Sequence, residues 1–319
     1  MNKKIKIIIA FIAFEIIFIP VLGILLIYHG PFVNTKEMLV ETAMTTMRHQ
    51  YFATWFLSDE EIQSILQKNR PQEKIEAQNV ENIEITKKND KGLEGIELVD
   101  ISNTSFKGYM IIVNDPSRVK LATTPRLGKV GATLSQIIES EGAIAGINAG
   151  GFADDAIGTG GKPSGILIQN GEVKFNDNKG SYSIVGLDTQ NRLIVSNNMS
   201  YATMKQKKLR DAVSFGPTII VNGNPTIRSG NGGWGIQPRT AIGQRKDGTI
   251  LMLVIDGRQK NSIGATLKNV QDIFLKYEAY NAFNLDGGAS STMVYDNKVV
   301  NNPSDLMGER YIPSAFVVI

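Results

Sequence analysis

The sequence predicts an α+β fold: a large mixed β-sheet domain with few helices, preceded by an N-terminal transmembrane helix and a helical stalk. From residue 91 onward, short apolar runs alternate with Gly, Asn, Asp and Pro, a pattern typical of strands and turns. Helical spacing of apolar residues occurs there in two places, Leu134–Glu139 and Leu267–Tyr277. Two helices are too few to cover both faces of a doubly wound sheet, so we expect an α+β arrangement.

The transmembrane helix is predicted from Ile7–Tyr28, which is almost wholly apolar. At about 1.5 Å per residue this stretch can cross a hydrocarbon layer of about 30 Å. Glu15 would cost about 2 to 3 kcal/mol near the bilayer centre, and the surrounding apolar residues outweigh that penalty. A cleaved signal peptide is the alternative, but the stretch is long for one and Tyr28-His29-Gly30 is a poor cleavage site. We therefore expect an uncleaved signal-anchor.

The charges that flank this stretch predict its orientation. Lys3, Lys4 and Lys6 precede it, whereas Lys36 is the only lysine soon after it. By the positive-inside rule the N-terminus is cytoplasmic. The predicted location is the cell membrane, single-pass, with everything after Tyr28 extracellular.

Four segments are predicted along the chain. Residues 1–30 form a cytoplasmic tip and the anchor. Residues 31–70 form a helical stalk, with one helix capped by Asn34 and Glu37 and running to about Phe56, and a second capped by Ser58 and Glu61. Residues 71–90 are polar without periodicity, as in a linker, and 91–319 form the main domain.

The main domain contains the predicted strands. They lie at Tyr109–Val113, Ala143–Ile147, Gly165–Ile168, Tyr182–Val185, Thr218–Val221, Thr249–Ile255 and Ala315–Ile319.

Composition limits the partners and the compartment. The chain has no cysteine, so an exported domain must be held together by its core, as in surface proteins of Gram-positive bacteria. The formal charge of +3 is small, and the basic cluster Lys205, Lys207, Lys208 and Arg210 is interpreted as a solvated face. Nucleic acid is not expected as a partner.

The absence of two residue types limits the chemistry. Both histidines, His29 and His49, precede the main domain, which therefore contains neither His nor Cys. This excludes Ser-His-Asp and Cys-His catalysis, the usual zinc sites and phosphohistidine chemistry there. Carboxylates, hydroxyls, Lys, Arg and a hard cation bound through oxygen remain.

Three apolar segments end at polar residues and glycine. The first ends at Asn148 with Gly150 and Gly151, the second at Asp256 with Arg258, and the third at Asp286 with Gly287, Gly288, Ser290 and Ser291. A strand end followed by a glycine turn holds a polar side chain rigidly at a cleft, and three such ends together would form a site. For Asp256-Gly257 an ordinary hairpin turn is an equally good interpretation.

Arginines lie near other strand ends. Arg239-Thr240 begins one predicted strand, and Glu309-Arg310 precedes the last one. Because guanidinium groups bind phosphate oxygens in two-pronged fashion, arginines beside Asp and Ser-Thr loops indicate recognition of an anion.

These motifs, in this order, resemble the phosphodiester glycosidase family. They are Gly146-Ile-Asn148-Ala-Gly-Gly-Phe152, Phe215-Gly-Pro217, Arg239-Thr-Ala-Ile-Gly243, Asp256-Gly-Arg258, Asn284-Leu-Asp286-Gly-Gly288 and Glu309-Arg310. The resemblance spans roughly Gly108 to Ile319, and the anchor and stalk are similar to those of Gram-positive members associated with exopolysaccharide. The chain departs at Ser314, where members often carry Asn.

The resemblance implies hydrolysis of the glycosidic bond of a sugar-1-phosphodiester, of the GlcNAc-1-phosphodiester type, in a cell-surface glycopolymer or exopolysaccharide. It implies Asp286 and Glu309 as catalytic carboxylates, in an order left open, with Arg239 and Arg310 on the phosphate. Sugar hydroxyls or a cation would be positioned by Asn148, Asp256, Ser290 and Ser291. The other expected substrate-binding residues are Gly150, Gly151, Thr240, Arg258, Gly287 and Gly288.

No cofactor is expected to be required; a Ca²⁺ or Mg²⁺ ion, if bound, is expected at Asp256 and Asp286. Two alternatives remain open. One is a metal-dependent phosphodiesterase that cleaves the P–O bond. The other is a non-catalytic carbohydrate-binding protein of exopolysaccharide assembly.

Overall fold

The computed structural model describes residues 2–46, 49–71, 78–85, 90–153 and 159–319. The chain divides into two compact units. The first comprises Met1–Arg70 with Gly233–Gly235, and the second comprises Pro71–Gly232 with Ile236–Ile319.

The described part of the first unit is helical. Its helices are α1 (Lys3–His29), α2 (Val33–Met44), α3 (Tyr51–Thr54) and α4 (Asp59–Lys68). Helix α1 has the length and composition needed to cross a membrane. An N-terminal signal sequence can have the same length and composition.

Two details of the predicted stalk are wrong and one is confirmed. The predicted helix from Asn34 to Phe56 ends at Met44, and its N-cap is Phe32 rather than Asn34. The hydroxyls of Thr45 and Thr46 donate to main-chain carbonyls of the last turn, which competes with helix continuation. The capping box of Ser58 and Glu61 at the start of α4 is present as predicted.

The second unit contains the strands, whose bounds follow in chain order. They are β1 (Ile96–Asp100), β2 (Gly108–Val113), β3 (Val119–Thr123), β4 (Ala145–Asn148), β5 (Ile166–Gln169), β6 (Glu172–Asn176), β7 (Ser181–Asp188), β8 (Leu193–Ser200), β9 (Leu209–Ser214), β10 (Thr218–Val221), β11 (Asn224–Pro225), β12 (Arg239–Arg245), β13 (Ile250–Ile255), β14 (Ala279–Leu285), β15 (Met293–Tyr295), β16 (Lys298–Val299) and β17 (Ser314–Val318).

These strands form three sheets. Sheet I has the order β1-β2-β13-β12-β14-β10-β11, sheet II the order β16-β15-β4-β17-β3, and sheet III the order β6-β5-β9-β7-β8. Every strand pair within the described residues is antiparallel. The predicted large mixed sheet is therefore three antiparallel sheets, because strand direction depends on pairing between distant segments. One apolar core takes side chains from all three sheets, including Ile242, Phe316 and Val213.

Among the described residues of this unit, three α-helices accompany the sheets: α5 (Leu134–Glu141), α6 (Tyr201–Gln206) and α7 (Leu267–Lys276). Helices α5 and α7 each begin with a capping box, formed by Thr133 with Gln136 and by Thr266 with Asn269. The α+β class is confirmed, and each predicted strand and both predicted helices of this unit are present within two residues of their predicted bounds, except that β7 extends three residues beyond the predicted end. Helix α6 was not predicted because six residues give too little periodicity.

Part of the predicted linker, residues 78–85, packs into the second unit; residues 72–77 and 86–89 lie outside the described residues. Val80 and Ile83 are buried beside apolar side chains of sheet III. The side-chain amide of Gln78 donates to Leu193 O (2.7 Å), and its carbonyl oxygen accepts from Val195 N (3.0 Å). The boundary at residue 91 stays a prediction, and a chain that starts there would lack these contacts.

We expect a truncated chain of residues 91–319 to be less stable than one of residues 78–319. Losing the burial of two aliphatic side chains lowers the free energy of unfolding by roughly 3 kcal/mol or more. Urea unfolding measures the difference, and a chain starting at Pro71 serves as the control that should match residues 78–319. Equal unfolding midpoints for all three would show that residues 78–85 add nothing to the core.

Candidate active site

Three neighbouring strands of sheet I bring predicted site residues to one edge. Arg239, the first residue of β12, pairs with Ile255, the last residue of β13, and Asp256 follows directly. Thr240 pairs with Leu285, the last residue of β14, and Asp286 follows directly. Antiparallel pairing thus places the start of β12 between the ends of its two neighbours.

Asn148, at the end of β4 in sheet II, forms hydrogen bonds with residues at this edge of sheet I. Its side-chain oxygen accepts from Thr240 Oγ1 (2.8 Å) and from Thr292 N (3.1 Å). Its side-chain nitrogen donates to Asp286 O (2.6 Å), and Asp286 N donates to Ala149 O (3.1 Å). Asn148 therefore fixes the main chain at Asp286, and it is itself 1% exposed.

We expect Asn148→Ala to destabilise the protein more than Thr240→Val. The alanine leaves two buried donors, Thr240 Oγ1 and Thr292 N, without this acceptor, and each such group costs about 1 to 3 kcal/mol. The valine removes one partner and leaves the Asn148–Thr292 bond intact. The free energies of unfolding in urea test the ranking, and equal values for the two variants would contradict the central role of Asn148.

Three guanidinium groups lie close enough for their charges to interact. Burial, and then the charge of Arg258, lower the pKa of Arg239 to about 9. Burial, and then the charge of Arg310, lower the pKa of Arg258. A guanidinium remains protonated at neutral pH, so buried Arg239 and the solvent-accessible Arg258 and Arg310 concentrate positive charge at this edge. This charge favours an anionic ligand.

Local contacts hold these arginines in place. Arg239 Nε donates to Ala265 O (2.9 Å), while Arg258 donates from Nε (3.1 Å) and Nη2 to Gln237 Oε1. The guanidinium carbon of Arg310 lies 4.8 Å from the centre of the Phe152 ring. The predicted site omitted Gln237 and Phe152; the adjacency of Gln237 to Arg239 in the sequence was the available signal.

Arg258 has a left-handed backbone conformation, with φ of +60°. This region costs an L-residue other than Gly, Asn or Asp roughly 1 kcal/mol or more. A cost of this kind is commonly kept where the side chain has a function. A Cβ added at Gly288 would lie 3.2 Å from Arg258 Nη2, so glycine there leaves room for the guanidinium.

Asp256 is buried and held by asparagines. Asn301 Nδ2 donates to its Oδ1 (2.8 Å), and Asn302 N lies 3.1 Å from both carboxylate oxygens. Burial raises the pKa of Asp256 against the opposing effect of these hydrogen bonds. Asn301 also donates to Ser291 O (3.0 Å), so it connects the second predicted strand end with the third. Asn301 was not predicted, because an Asn-Asn-Pro sequence is an ordinary turn signal.

Ser290 and Ser291 lie in and just after a short 3₁₀ turn, Gly288–Ser290. Both are 1% exposed, and neither hydroxyl has a hydrogen-bond partner among the described residues. A buried hydroxyl without a partner is costly, which indicates that these groups are available to a ligand or to ordered water.

The predicted glycines have close neighbours. A Cβ added at Gly150 would lie 2.9 Å from Val213 Cβ, one at Gly151 2.8 Å from the Phe215 ring, and one at Gly287 2.8 Å from Pro238 O. Close packing thus explains glycine at all three positions. Their roles in substrate binding stay predictions.

Glu309 has a defined structural contact. Its two carboxylate oxygens accept from Ser135 N (2.9 Å) and Ser135 Oγ (2.6 Å) in the first turn of α5. A carboxylate at a helix N-terminus satisfies main-chain donors and complements the helix dipole. This contact gives Glu309 a role in anchoring its loop, and its catalytic role stays a prediction. Within the described residues no group of three or more His, Cys, Asp and Glu side chains is arranged to hold a metal ion.

A sequence model of the phosphodiester glycosidase family matches residues 141–319, more than half of the chain and all of the edge described above. The chain belongs to the phosphodiester glycosidase family. As a member it is classed with the glycosidases, which are hydrolases, and the family resemblance of its motifs is confirmed.

Two relatives illustrate the match. The SPbeta prophage-derived protein YomE of Bacillus subtilis is 29% identical over 200 residues, which are 60% of this chain and 29% of that protein. The N-acetylglucosamine-1-phosphodiester alpha-N-acetylglucosaminidase of Bos taurus is 39% identical over 70 residues, 22% of this chain and 13% of the enzyme. The chain thus spans less than a third of the length of either relative.

Two solved structures share the fold. The catalytic domain of zebrafish N-acetylglucosamine-1-phosphodiester alpha-N-acetylglucosaminidase, auto-inhibited by its pro-peptide, superposes with a TM-score of 0.62 at 19% identity, covering 74% of this chain and 86% of that one. An exported protein of Burkholderia pseudomallei gives a TM-score of 0.52 at 18% identity, covering 67% and 74%.

Proposed function

We propose that the chain hydrolyses the glycosidic bond of a sugar-1-phosphodiester in a cell-surface glycopolymer or exopolysaccharide. The observation that carries the proposal is the cluster formed by buried Arg239 and the more accessible Arg258 and Arg310 next to Asp286. Family membership gives the reaction class, and the cluster gives a reason for the substrate's charge.

The chemistry follows from the leaving group. Cleavage at the anomeric carbon expels a phosphate monoester, whose second pKa of about 6 makes it a good leaving group without full protonation. The guanidinium groups of Arg239, Arg258 and Arg310 would bind the phosphate oxygens and stabilise the charge that develops there. General acid assistance therefore matters less than in ordinary glycosides.

Asp286 would act on the sugar side of the bond, as the nucleophile or as the base that activates water. Its main chain is held by Asn148 and Ala149, which keeps a reacting group positioned. The hydroxyls of Ser290 and Ser291 would receive hydrogen bonds from the sugar or donate to it. Glu309 remains the second predicted carboxylate.

The activity is tested by release of free sugar from uridine-diphosphate N-acetylglucosamine or a simple GlcNAc-1-phosphodiester. We expect free GlcNAc and the phosphate monoester as products. The matched comparison is GlcNAc carried on a neutral alcohol, which lacks the phosphate and should be a poor substrate. Equal turnover of the two would contradict a role for the arginines in binding the leaving phosphate.

For location, we propose a single-pass membrane anchor formed by α1, with the second unit outside the cytoplasm. Support comes from the apolar length of α1 and from exposed aromatic residues in the same unit, Tyr51, Phe52 and Trp55. Such residues are enriched where a protein meets the lipid headgroups. Protease added outside intact cells should degrade the second unit and spare Lys3–Lys6, and the reverse pattern would overturn the orientation.

A further inference from the structure

A cavity lies at the end of β9 that is opposite to the end adjoining the candidate active site. Gly151 N donates to Ser214 O, the last residue of β9, so that end adjoins the candidate site. The cavity, of about 320 Å³, is lined by Leu209 and Arg210 at the first residues of β9. Five residues of extended strand separate the two ends by about 15 Å.

The lining combines positive charge with an aromatic ring. Lys205, Lys208 and Arg210 contribute the cations, and Tyr201 contributes a half-exposed ring. The apolar surface comes from side chains that include Ile168 and Met204. The volume is at the lower end of the range for small-molecule pockets, about 300 to 1,000 Å³.

The cavity wall is held by a fully buried carboxylate. Asp211 Oδ1 accepts from Asn170 N (3.0 Å), and its Oδ2 lies 3.4 Å from Arg210 Nε. Asn170 and Gly171 both have positive φ and form the two-residue turn between β5 and β6. Gly171 N donates to Arg210 O (2.7 Å), and Arg210 Nη2 donates to Val119 O (2.8 Å). The guanidinium is thus fixed before any ligand arrives.

We propose that this cavity binds a phosphorylated sugar, with the cations on the phosphate and Tyr201 against the sugar. This inference rests on the proposed function: the bound sugar phosphate is part of the same polymer whose glycosidic bond is cleaved at Asp286. Binding at two separate points raises affinity for a polymer without raising it for a single diester. The basic segment around Lys205 is then a binding site rather than a solvated face.

The experiment uses the full chain and calorimetric titration with N-acetylglucosamine 1-phosphate. The test variant is Lys205→Gln with Lys208→Asn, where asparagine suits the φ of +52° at position 208. Lys207→Gln is the matched control, since Lys207 lies between them and does not line the cavity. We expect the double variant to weaken binding at this site at least tenfold and the control to leave it unchanged.

Two further outcomes test the sugar contact and the site separately. Tyr201→Ala should weaken binding of the sugar phosphate but not of inorganic phosphate; equal effects on both would overturn the sugar contact. Unchanged binding by the double variant would overturn the site itself. These titrations need no turnover, so an enzyme inactive on every diester would refute the proposed function and leave the cavity result standing.

Binding of a polymer across the cavity and the active site is tested by steady-state kinetics. With a phosphodiester-linked GlcNAc oligomer as substrate, the double variant should show a raised KM and an unchanged kcat, and it should hydrolyse a single diester normally. An unchanged KM on the oligomer would overturn the link between the cavity and the active site.

Discussion

Asp286→Asn is expected to lower turnover of a sugar-1-phosphodiester by about 10² to 10⁴ while the fold stays intact. Loss of acid-base assistance alone has this magnitude, and loss of a nucleophile has more. The substitution preserves the size of the side chain and much of its hydrogen-bonding capacity, and it leaves the main-chain hydrogen bonds of Asp286 N and Asp286 O in place. The fold should therefore lose about 1 kcal/mol or less.

The measurement is kcat for release of free sugar, with a thermal melt to confirm folding. Glu309→Gln provides the informative comparison, because Glu309 has an identified structural contact with Ser135. If Glu309→Gln lowers the melting temperature but leaves kcat nearly unchanged, Glu309 anchors its loop and is not catalytic. Near-normal turnover by a folded Asp286→Asn protein would refute the proposed catalytic centre.

Arg258→Gly is expected to separate activity from stability. Glycine accepts the left-handed backbone at this position, which offsets part of the loss of the two hydrogen bonds to Gln237. We expect a melting temperature within a few degrees of the original. Removing one preorganised donor to the phosphate should lower kcat/KM by about 10² to 10³.

Glu278→Gly is the matched control, because Glu278 has φ of +61° and an exposed side chain at the end of α7. It should keep full activity and gain up to about 1 kcal/mol of stability. Activity of Arg258→Gly within about threefold of the original would show that the guanidinium does not contact the substrate.

Local patterns predicted the elements that form the site. Apolar runs that end at Asn148, Asp256 and Asp286 predicted three strand ends. In the structure Asn148 is the last residue of its strand, and Asp256 and Asp286 directly follow theirs. Register could not be read from these patterns, because strand pairing depends on contacts between distant parts of the chain. The neighbouring positions of β13, β12 and β14, which bring Arg239 between the two aspartates, are visible only in the fold.

Residues that act through tertiary contacts were also missed. Gln237 and Asn301 carry no special sequence signal, and their importance comes from the side chains they hold, Arg258 and Asp256. The contact of Glu309 with Ser135 joins positions 174 residues apart, so no local pattern indicated it. Two buried apolar residues in a polar segment, Val80 and Ile83, likewise looked like part of a linker.

We expect the bond between the anomeric carbon and the phosphate oxygen to break, rather than the P–O bond. Hydrolysis of a GlcNAc-1-phosphodiester in oxygen-18 water, followed by mass spectrometry of both products, tests it directly. Attack at the anomeric carbon puts the label in the free sugar, which is the result we predict. Label in the phosphate monoester would mean P–O cleavage and would contradict the assignment of Asp286 and the arginine cluster to glycosidic bond hydrolysis.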